Sequence, residues 1–320
     1  MNSLFASNST LIDFKNIQSN QPQNTEEFKM DKIVFSNNRF KKILNTAVFH
    51  LFRGAALING LALFIVVYFM ASNGLKAITW TFLTQLPTDS MTKGGILPCI
   101  IGTLCLSLGA IAIAFPVGVA SAIYLSEYAK PGKILRIIRL GINNLAGVPS
   151  VVFGLFGLAF FVVWMNLGVS ILAGSLTLAA MSLPVIIGST EEALRSVPET
   201  YREASLGLGA TKWQTIYKVV LPSALPGILT GGILGISRAA GETAPIMFTA
   251  AVFYTPYLPS SPFDEIMALP YHIYVLATAG TDIEATRHLQ YGTAIVLIAL
   301  VFSINLAAII YRSKLRRKMS

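Results

Sequence analysis

Residues Glu203 to Pro222 read EASLGLGATKWQTIYKVVLP, a polar, glycine-punctuated interruption in a chain that is 54% hydrophobic. Its surroundings set the class. The chain has 320 residues, of which 12% are charged, and a mean hydropathy of +0.64. Soluble domains carry about a quarter charged residues, so this composition excludes an ordinary soluble enzyme and defines a membrane protein. Six segments, near 54–72, 96–125, 140–163, 168–190, 224–253 and 291–311, are apolar and long enough for a hydrocarbon core that takes about twenty helical residues to cross. Pro116, Gly118, Pro226, Gly227, Gly231 and Gly232 predict kinks or tilt in the second and fifth. Pro149 and Pro184 predict kinks in the third and fourth.

The net charge of +9 is explained by where the basic residues fall. Seven precede or open the first span, four follow the second (Lys130, Lys133, Arg136, Arg139), four follow the fourth (Arg195, Arg202, Lys212, Lys218) and five close the chain. The alternate loops hold two, none and one. Lys and Arg accumulate on the cytoplasmic side, so both termini are expected there. The basic excess matches anionic lipid heads and argues against nucleic acid as a partner.

Residues 1–45 are rich in Ser, Asn, Gln and Lys and lack the charged-then-apolar order of a signal peptide; they are expected to be a disordered cytoplasmic extension. Residues 46–91 then hold the first span and an outer loop, and 313–320 form a basic tail.

By this topology the quoted loop is cytoplasmic. Ser196 with Glu199, and Thr211 with Gln214, have capping-box spacing. Gly207 and Gly209 offer positions of positive φ between two short helices, and Pro222 and Pro226 are expected to bend the chain back towards the fifth span. The unit would present Tyr201, Leu206, Leu208, Trp213 and Tyr217 to solvent, which solvent alone does not call for.

The order Glu203, Ala204, Ser205, Gly209, Val219, Leu221, Pro222 resembles the EAA motif, E-A-A-x3-G-x9-I-x-L-P, of permease subunits of bacterial ABC importers. It departs at Ser205 and Val219, both mild changes of volume. The resemblance implies that this loop is a coupling helix docked into a groove on an ATP-hydrolysing subunit. It also implies an all-α, six-span membrane protein with the type I importer permease fold. NNLAGVPSVVFGLFG, SRAAGETAPIMFTA and SPFDEIMALPYHIYVLAT resemble phosphate-specific importer permeases, the A-G-E-T-A-P pattern being closer to the PstA type than to its PstC partner type. The likeness covers about residues 92–312. Its implied partners are two copies of an ATPase subunit, a PstC-type permease and an extracytoplasmic phosphate-binding protein, in a bacterial inner membrane.

No G-x4-G-K-[ST] loop for ATP phosphates occurs, and no soluble segment is large enough for a nucleotide domain. The chain is therefore read as a transporter subunit without enzymatic activity or cofactor of its own, with ATP and Mg held by the partner ATPase. No spacing of His, Cys, Asp and Glu points to a metal. A spacing of six places Cys99 and Cys105 on different turns, against a disulfide.

Within the fifth span, Arg238 and Glu242 are four residues apart, on one helix face. Arg238 falls near the midpoint of 224–253, where an arginine is costly and needs a partner. Two readings stand: a pathway pair in which Arg238 offers transient hydrogen bonds to a passing oxyanion, with Thr243 beside it, or a structural ion pair. Gly227, Gly231, Gly235 and Ala239 form a small-residue stripe for helix packing, against the partner permease or around a pore. His272 is read as a satisfied interfacial residue. The expected function is import of phosphate. Permeases for molybdate, sulfate or phosphonate are the alternatives within the class, and a proton- or sodium-driven secondary transporter using Glu242 is the alternative outside it.

Overall fold

The computed structural model describes residues 38–88, 91, 93–255, 257–279 and 283–319. Residues 1–37, Pro256 and Asp282 lie outside the described residues, as do the side chains of Glu284, Arg316, Arg317 and Lys318; most of the expected N-terminal extension thus falls outside them. The chain divides into two units, Met1–Val66 and Val67–Ser320.

Helix α1 (Asn38–Gly74) starts within the segment assigned to the extension and crosses from the first unit to the second. In the first unit its apolar side chains, Leu51, Phe52, Leu57 and Leu61 among them, are exposed, as lipid-facing residues should be. Arg53 lies over the Phe49 ring, 4.4 Å from its centroid.

In the second unit α2 (Trp80–Thr84) is capped by Thr79, whose side chain accepts from Phe82 N. A hairpin follows, β1 (Pro87–Thr88) antiparallel to β2 (Lys93–Gly94), with Pro87 opposite Gly94. Helix α3 (Leu97–Ile123) continues into a π turn at Tyr124–Tyr128. Helix α4 (Lys133–Ala146) and α5 (Ser150–Gly157, extended by a π segment to Trp164) come next. They are bent by 102°. The expected third span, 140–163, is therefore not one rod: Gly147 ends α4, and Pro149, with ψ of 140°, starts α5 in a new direction. Pro184 sits inside α6 (Ile171–Arg195) without interrupting it.

Beyond α6 lie α7 (Glu199–Gly207), α8 (Lys212–Thr215), a π turn at Ile216–Val220 and α9 (Leu221–Gly241). The expected bend at Pro222 is absent, and Lys212–Gly241 runs as one helix. A proline has no N–H and its ring clashes with the carbonyl four residues back. The π turn, in which Leu221 N donates to Ile216 O, widens the ladder just before Pro222 and admits the ring.

Helix α10 (Ala244–Thr249), α11 (Leu269–Thr278) and α12 (Ile283–Met319) complete the chain. Among the described residues five helices are long and apolar enough to cross a membrane, or six if the bent pair α4 and α5 counts as one span. The all-helical, six-span expectation fits that count.

The core joins Leu106 and Ala110 of α3, Phe153 of α5, Leu178 and Met181 of α6, Ala239 of α9, and Ile246 and Ala250 at α10. The glycine stripe lies inside this unit. A β-carbon at Gly227 would stand 2.6 Å from Ala193 Cβ, one at Gly235 would stand 3.1 Å from Ile186 Cδ1, and one at Gly231 would overlap Ser189 Oγ. The stripe packs α9 on α6 of the same chain.

The far end of α6 is closed by backbone. Ser170 N, Ile171 N and Leu172 N donate to the carbonyls of Thr249, Asp264 and Pro262, at 3.0, 2.9 and 2.9 Å. Ser170 Oγ accepts from Ala173 N. Helix N-termini leave such N–H groups without intrahelical partners, so the loop after α10 acts as a lid on α6. An isolated parallel bridge, Ala251 with Ile266, fixes that loop. Both cysteines are free.

Candidate functional site

Two groups of residues singled out in the sequence lie at opposite ends of the Lys212–Gly241 helix.

At its start, Pro198 precedes α7 as the residue before the helix, with ψ of 137° and no side-chain cap. The expected Ser196/Glu199 capping box does not form. Ser196 still has helical dihedrals at the end of α6, and its hydroxyl bonds back to Ala193 O at 2.8 Å. The Thr211/Gln214 box does form: Gln214 N donates to Thr211 Oγ1 at 3.3 Å, and Thr211 N donates to Gln214 Oε1 at 2.9 Å. Of Gly207 and Gly209, Gly209 alone takes positive φ, +84°, and turns α7 into α8.

The motif residues divide into an outer and an inner face. Glu203 and Ala204 are exposed on α7. Ser205 is half-buried, its hydroxyl 2.9 Å from Thr215 Oγ1, which ties α7 to α8. Val219 is half-buried and Val220 fully so. Leu221 packs with Val220 and Ala224 against Leu194 and Val197 at the end of α6. Pro222 opens α9. Outward stand Leu208, 90% exposed, and Tyr201, Leu206, Trp213 and Tyr217. The Trp213 and Tyr217 rings stack with centroids 6.1 Å apart. Exposed large apolar side chains concentrated on one short segment are a common feature of docking surfaces.

Sequence reasoning treated the basic residues around the loop as topology signals and missed their pairing. Arg202 donates from Nη2 to Glu127 Oε1 and to Leu194 O, both at 2.9 Å. From Nη1 it donates to Val197 O at 2.9 Å and to Glu199 Oε2 at 3.2 Å. Glu191, buried on α6, accepts from Arg195 at 2.9 Å and pairs with Arg139 of α4 at 3.3 Å. An open cavity of about 580 Å³ beside these groups is lined by Ser126, Glu127, Arg202, Leu206, Lys212 and Thr215, among others.

At the other end of the helix stand Arg238, Glu242 and Thr243. The expected span 224–253 is divided. Helix α9 ends at Gly241, and Pro245, which has no N–H to offer, sits in the first turn of α10. Arg238 is thus in the last turn of its helix, where a cation meets the free carbonyl end favourably, and not at mid-span. Its Nε donates to Glu242 Oε1 at 3.3 Å, with side chains 35% and 17% exposed. Thr243 occupies the break, its carbonyl accepting from Met247 N at 3.1 Å. The structure brings the three together at the junction of α9 and α10. Nearby on α9, Ser237 hydrogen-bonds Asn305 of α12.

The structure thus has a capped, aromatic-faced helical loop at one end of the Lys212–Gly241 helix and a polar break at the other. Residues 114–320 match the family described as the binding-protein-dependent transport system inner membrane component. The chain belongs to that family: it is a multi-pass permease component, and not an enzyme.

Its relatives narrow the comparison. The chain is 35% identical over 266 residues to the probable ABC transporter permease protein YqgI of Bacillus subtilis, covering 79% of this chain and 88% of the relative. It is 33% identical over 279 residues to the phosphate transport system permease protein PstA of Xylella fastidiosa, covering 83% and 96%. Against the PstA protein of Mycobacterium leprae it is 37% identical over 257 residues, covering 78% and 83%. Among solved structures, the inward-facing MetNI methionine ABC transporter aligns at TM-score 0.53 and 21% identity over 69% of this chain and 94% of that one. A bacterial alginate ABC transporter in complex with its pentasaccharide-bound periplasmic protein aligns at TM-score 0.54 and 13% identity over 93% and 98%. These last two likenesses establish the fold, the type I ABC importer permease.

Proposed function

We propose that this chain is one permease half of an ATP-driven importer that carries inorganic phosphate into the cell. The observation that carries the reading is similarity at 33–37% identity, over about four fifths of the chain, to several phosphate transport system permeases. The alternatives of another oxyanion or of an ion-gradient-driven carrier have no comparable support. In this reading both termini and the Glu203–Pro222 loop lie in the cytoplasm of a bacterial inner-membrane protein, which the distribution of Lys and Arg supports.

In this assembly the exposed patch Tyr201, Leu206, Leu208, Trp213 and Tyr217 seats on a separate ATPase chain, present in two copies, which holds ATP and Mg. A PstC-type permease supplies the second half of the pathway, and an extracytoplasmic binding protein delivers phosphate to the outer face. Closure of the ATPases on ATP moves α7 and α8, and the spans turn outward to receive the anion. Arg238 then offers its planar guanidinium fork to phosphate oxygens. Glu242 holds that fork in place and, by repelling a second negative charge, keeps phosphate from lodging. Thr243 adds a hydroxyl at the helix break.

The test is uptake of radiolabelled phosphate by phosphate-starved cells with and without this chain, challenged by excess molybdate and sulfate. Uptake that depends on the chain and resists both competitors is expected. Uptake unchanged by loss of the chain overturns the phosphate assignment, and uptake abolished by sulfate or molybdate reassigns the substrate.

A further inference from the structure

We propose that the Arg202–Glu127 ion pair is the tie through which displacement of the motif loop reaches the end of α3, so that these two positioning residues set how much transport each ATP hydrolysed yields. The inference rests on the permease reading above and names residues outside the EAA motif.

Arg202 is the point where three elements meet. It sits on α7, the helix that carries Glu203, Ala204 and Ser205. Its guanidinium accounts for the carbonyls of Leu194 and Val197, which lie at and just beyond the C-terminal end of α6, where backbone acceptors lack intrahelical partners. Its remaining strong contact is Glu127, 75 residues earlier and in the π turn that ends α3. The two side chains are 13% and 9% exposed. An exposed pair of this type contributes little. In a shielded pair, removal of one partner leaves the other charge buried and uncompensated, so the two residues stay together when either is displaced.

The recipient of this tie is a segment suited to move. A π turn is a local widening of the helix, and such turns concentrate at functional sites. The same turn is held from its other side: Arg139 of α4 donates to Leu125 O at 3.0 Å while pairing with Glu191 of α6. Arg139 therefore anchors the turn to membrane-flanking helices, and Arg202 anchors it to the loop that docks the motor. A second link from the loop, Lys212 Nζ at 5.1 Å from the Tyr128 ring centroid, involves an exposed lysine and is weaker. The end of α3 is thus positioned to be pulled against one arginine by the other.

Glu199 supplies the control, because it is Arg202's exposed partner, 73% accessible, and belongs to α7 itself.

The experiment uses the whole complex in proteoliposomes, with ATPase subunits, partner permease and loaded binding protein, and reads phosphate imported per ATP hydrolysed. For Glu127→Gln, which keeps size and an amide oxygen but removes the charge, the ratio is expected to fall about tenfold while ATP hydrolysis persists. Glu199→Gln is expected to leave the ratio at the wild-type value. A purely structural pair would lower the yield of complex and leave the ratio in assembled complexes unchanged; that result, or failure of Glu127→Gln to assemble at all, overturns the proposal. A second reading is independent of the substrate. Amides of residues 121–129 should change their hydrogen exchange when ATP is trapped with vanadate in the wild type, and lose that response in Glu127→Gln. Equal responses overturn the tie. A wild-type complex that hydrolyses ATP without importing phosphate sinks the phosphate reading alone, and the exchange experiment then decides the tie.

Discussion

Gly154 and Phe248 are packed so closely that a β-carbon at position 154 would stand 2.8 Å from Phe248 Cδ2 and 2.9 Å from the carbonyl oxygen of Ala244. The contact joins the two stretches NNLAGVPSVVFGLFG and SRAAGETAPIMFTA, which the sequence could only place side by side on a page. Backbone and a ring edge block the space, so the neighbours cannot yield cheaply. Gly154→Val is expected to destabilise the chain by about 1–3 kcal/mol through overpacking, read as a lower unfolding temperature in detergent. Gly60→Ala, where nothing among the described residues lies within 4 Å, should be neutral or slightly stabilising, since Ala outranks Gly in a helix.

The proposed docking face of the Glu203–Pro222 loop can be tested without disturbing the fold. Leu208 is 90% exposed, so Leu208→Glu costs little in the isolated chain, where surface changes lie within about 0.5 kcal/mol. In the assembled importer a buried unpaired carboxylate would be severe. Co-purification of the ATPase subunit should fall strongly while the melting temperature of the isolated permease stays fixed; retention of the ATPase would exclude Leu208 from the contact.

Thr211→Ala removes the half of the Thr211/Gln214 box in which Gln214 N donates to the hydroxyl, and leaves the half in which the backbone N–H of residue 211 donates to Gln214 Oε1. Loss of such a cap is worth about 1 kcal/mol. Faster amide exchange confined to residues 211–216 is the expected signature, with the amides of α6 unaffected.

Arg238 and Glu242 separate by their effects on transport. If Arg238 meets phosphate, Arg238→Ala should reduce uptake by about tenfold or more, consistent with loss of a charge-assisted hydrogen bond worth about 1.5–3 kcal/mol, and Arg238→Lys should restore part of it as a point charge without the fork. A structural pair predicts the opposite weighting, in which Arg238→Ala lowers expression and the surviving protein transports normally.

His272 on α11, expected to be satisfied, is buried with no hydrogen-bond partner for its Nδ1 among the described residues, and burial lowers its pKa from 6.5 to about 4. The unfolded chain therefore takes up a proton between those values that the folded chain refuses, so stability is full above pH 6.5 and falls as pH drops towards 4. The loss amounts to roughly 3 kcal/mol at one pKa unit per 1.36 kcal/mol. A thermal-stability series from pH 7.5 to 4.5 should show a steeper decline for wild type than for His272→Leu. Asp264 acts below this window. The N–H groups of Ser260 and Ser261 and the Ser260 hydroxyl hold its carboxyl below the usual range, so its contribution is present at neutral pH and fades only at stronger acidity.

Much of the local structure of the Glu203–Pro222 loop was legible because its signals are local. Thr211 and Gln214 are three residues apart, Gly209 supplies a backbone state that other residues resist, and the exposed aromatics stand out in a polar stretch. Hydropathy misled where it averaged over a break. Apolar residues continue on both sides of Gly147–Pro149 and of Glu242–Thr243, so the count of spans held while the breaks within them went unread, and Arg238 was placed at a midpoint that is the last turn of a helix. The prolines at 149 and 245 carried that information and were weighted as kinks or ignored. At Pro222 the error ran the other way, since a π turn absorbs the ring and the helix continues. The Arg202–Glu127 pair had no local signal at all: its partners are 75 residues apart and meet only because the start of α7 packs where α3 and α6 end.

The unbroken run from Lys212 to Gly241 spans 30 residues, about 45 Å at 1.5 Å per residue. Trp213 sits at one tip and Arg238 about 38 Å away near the other. A tilt of about 3° pivoted at the first would sweep the second through about 2 Å, more than half the length of a hydrogen bond. In the proposed transport cycle the helix acts as a lever with the docking patch as its handle, so the surroundings of Arg238 at the far tip change whenever the handle moves.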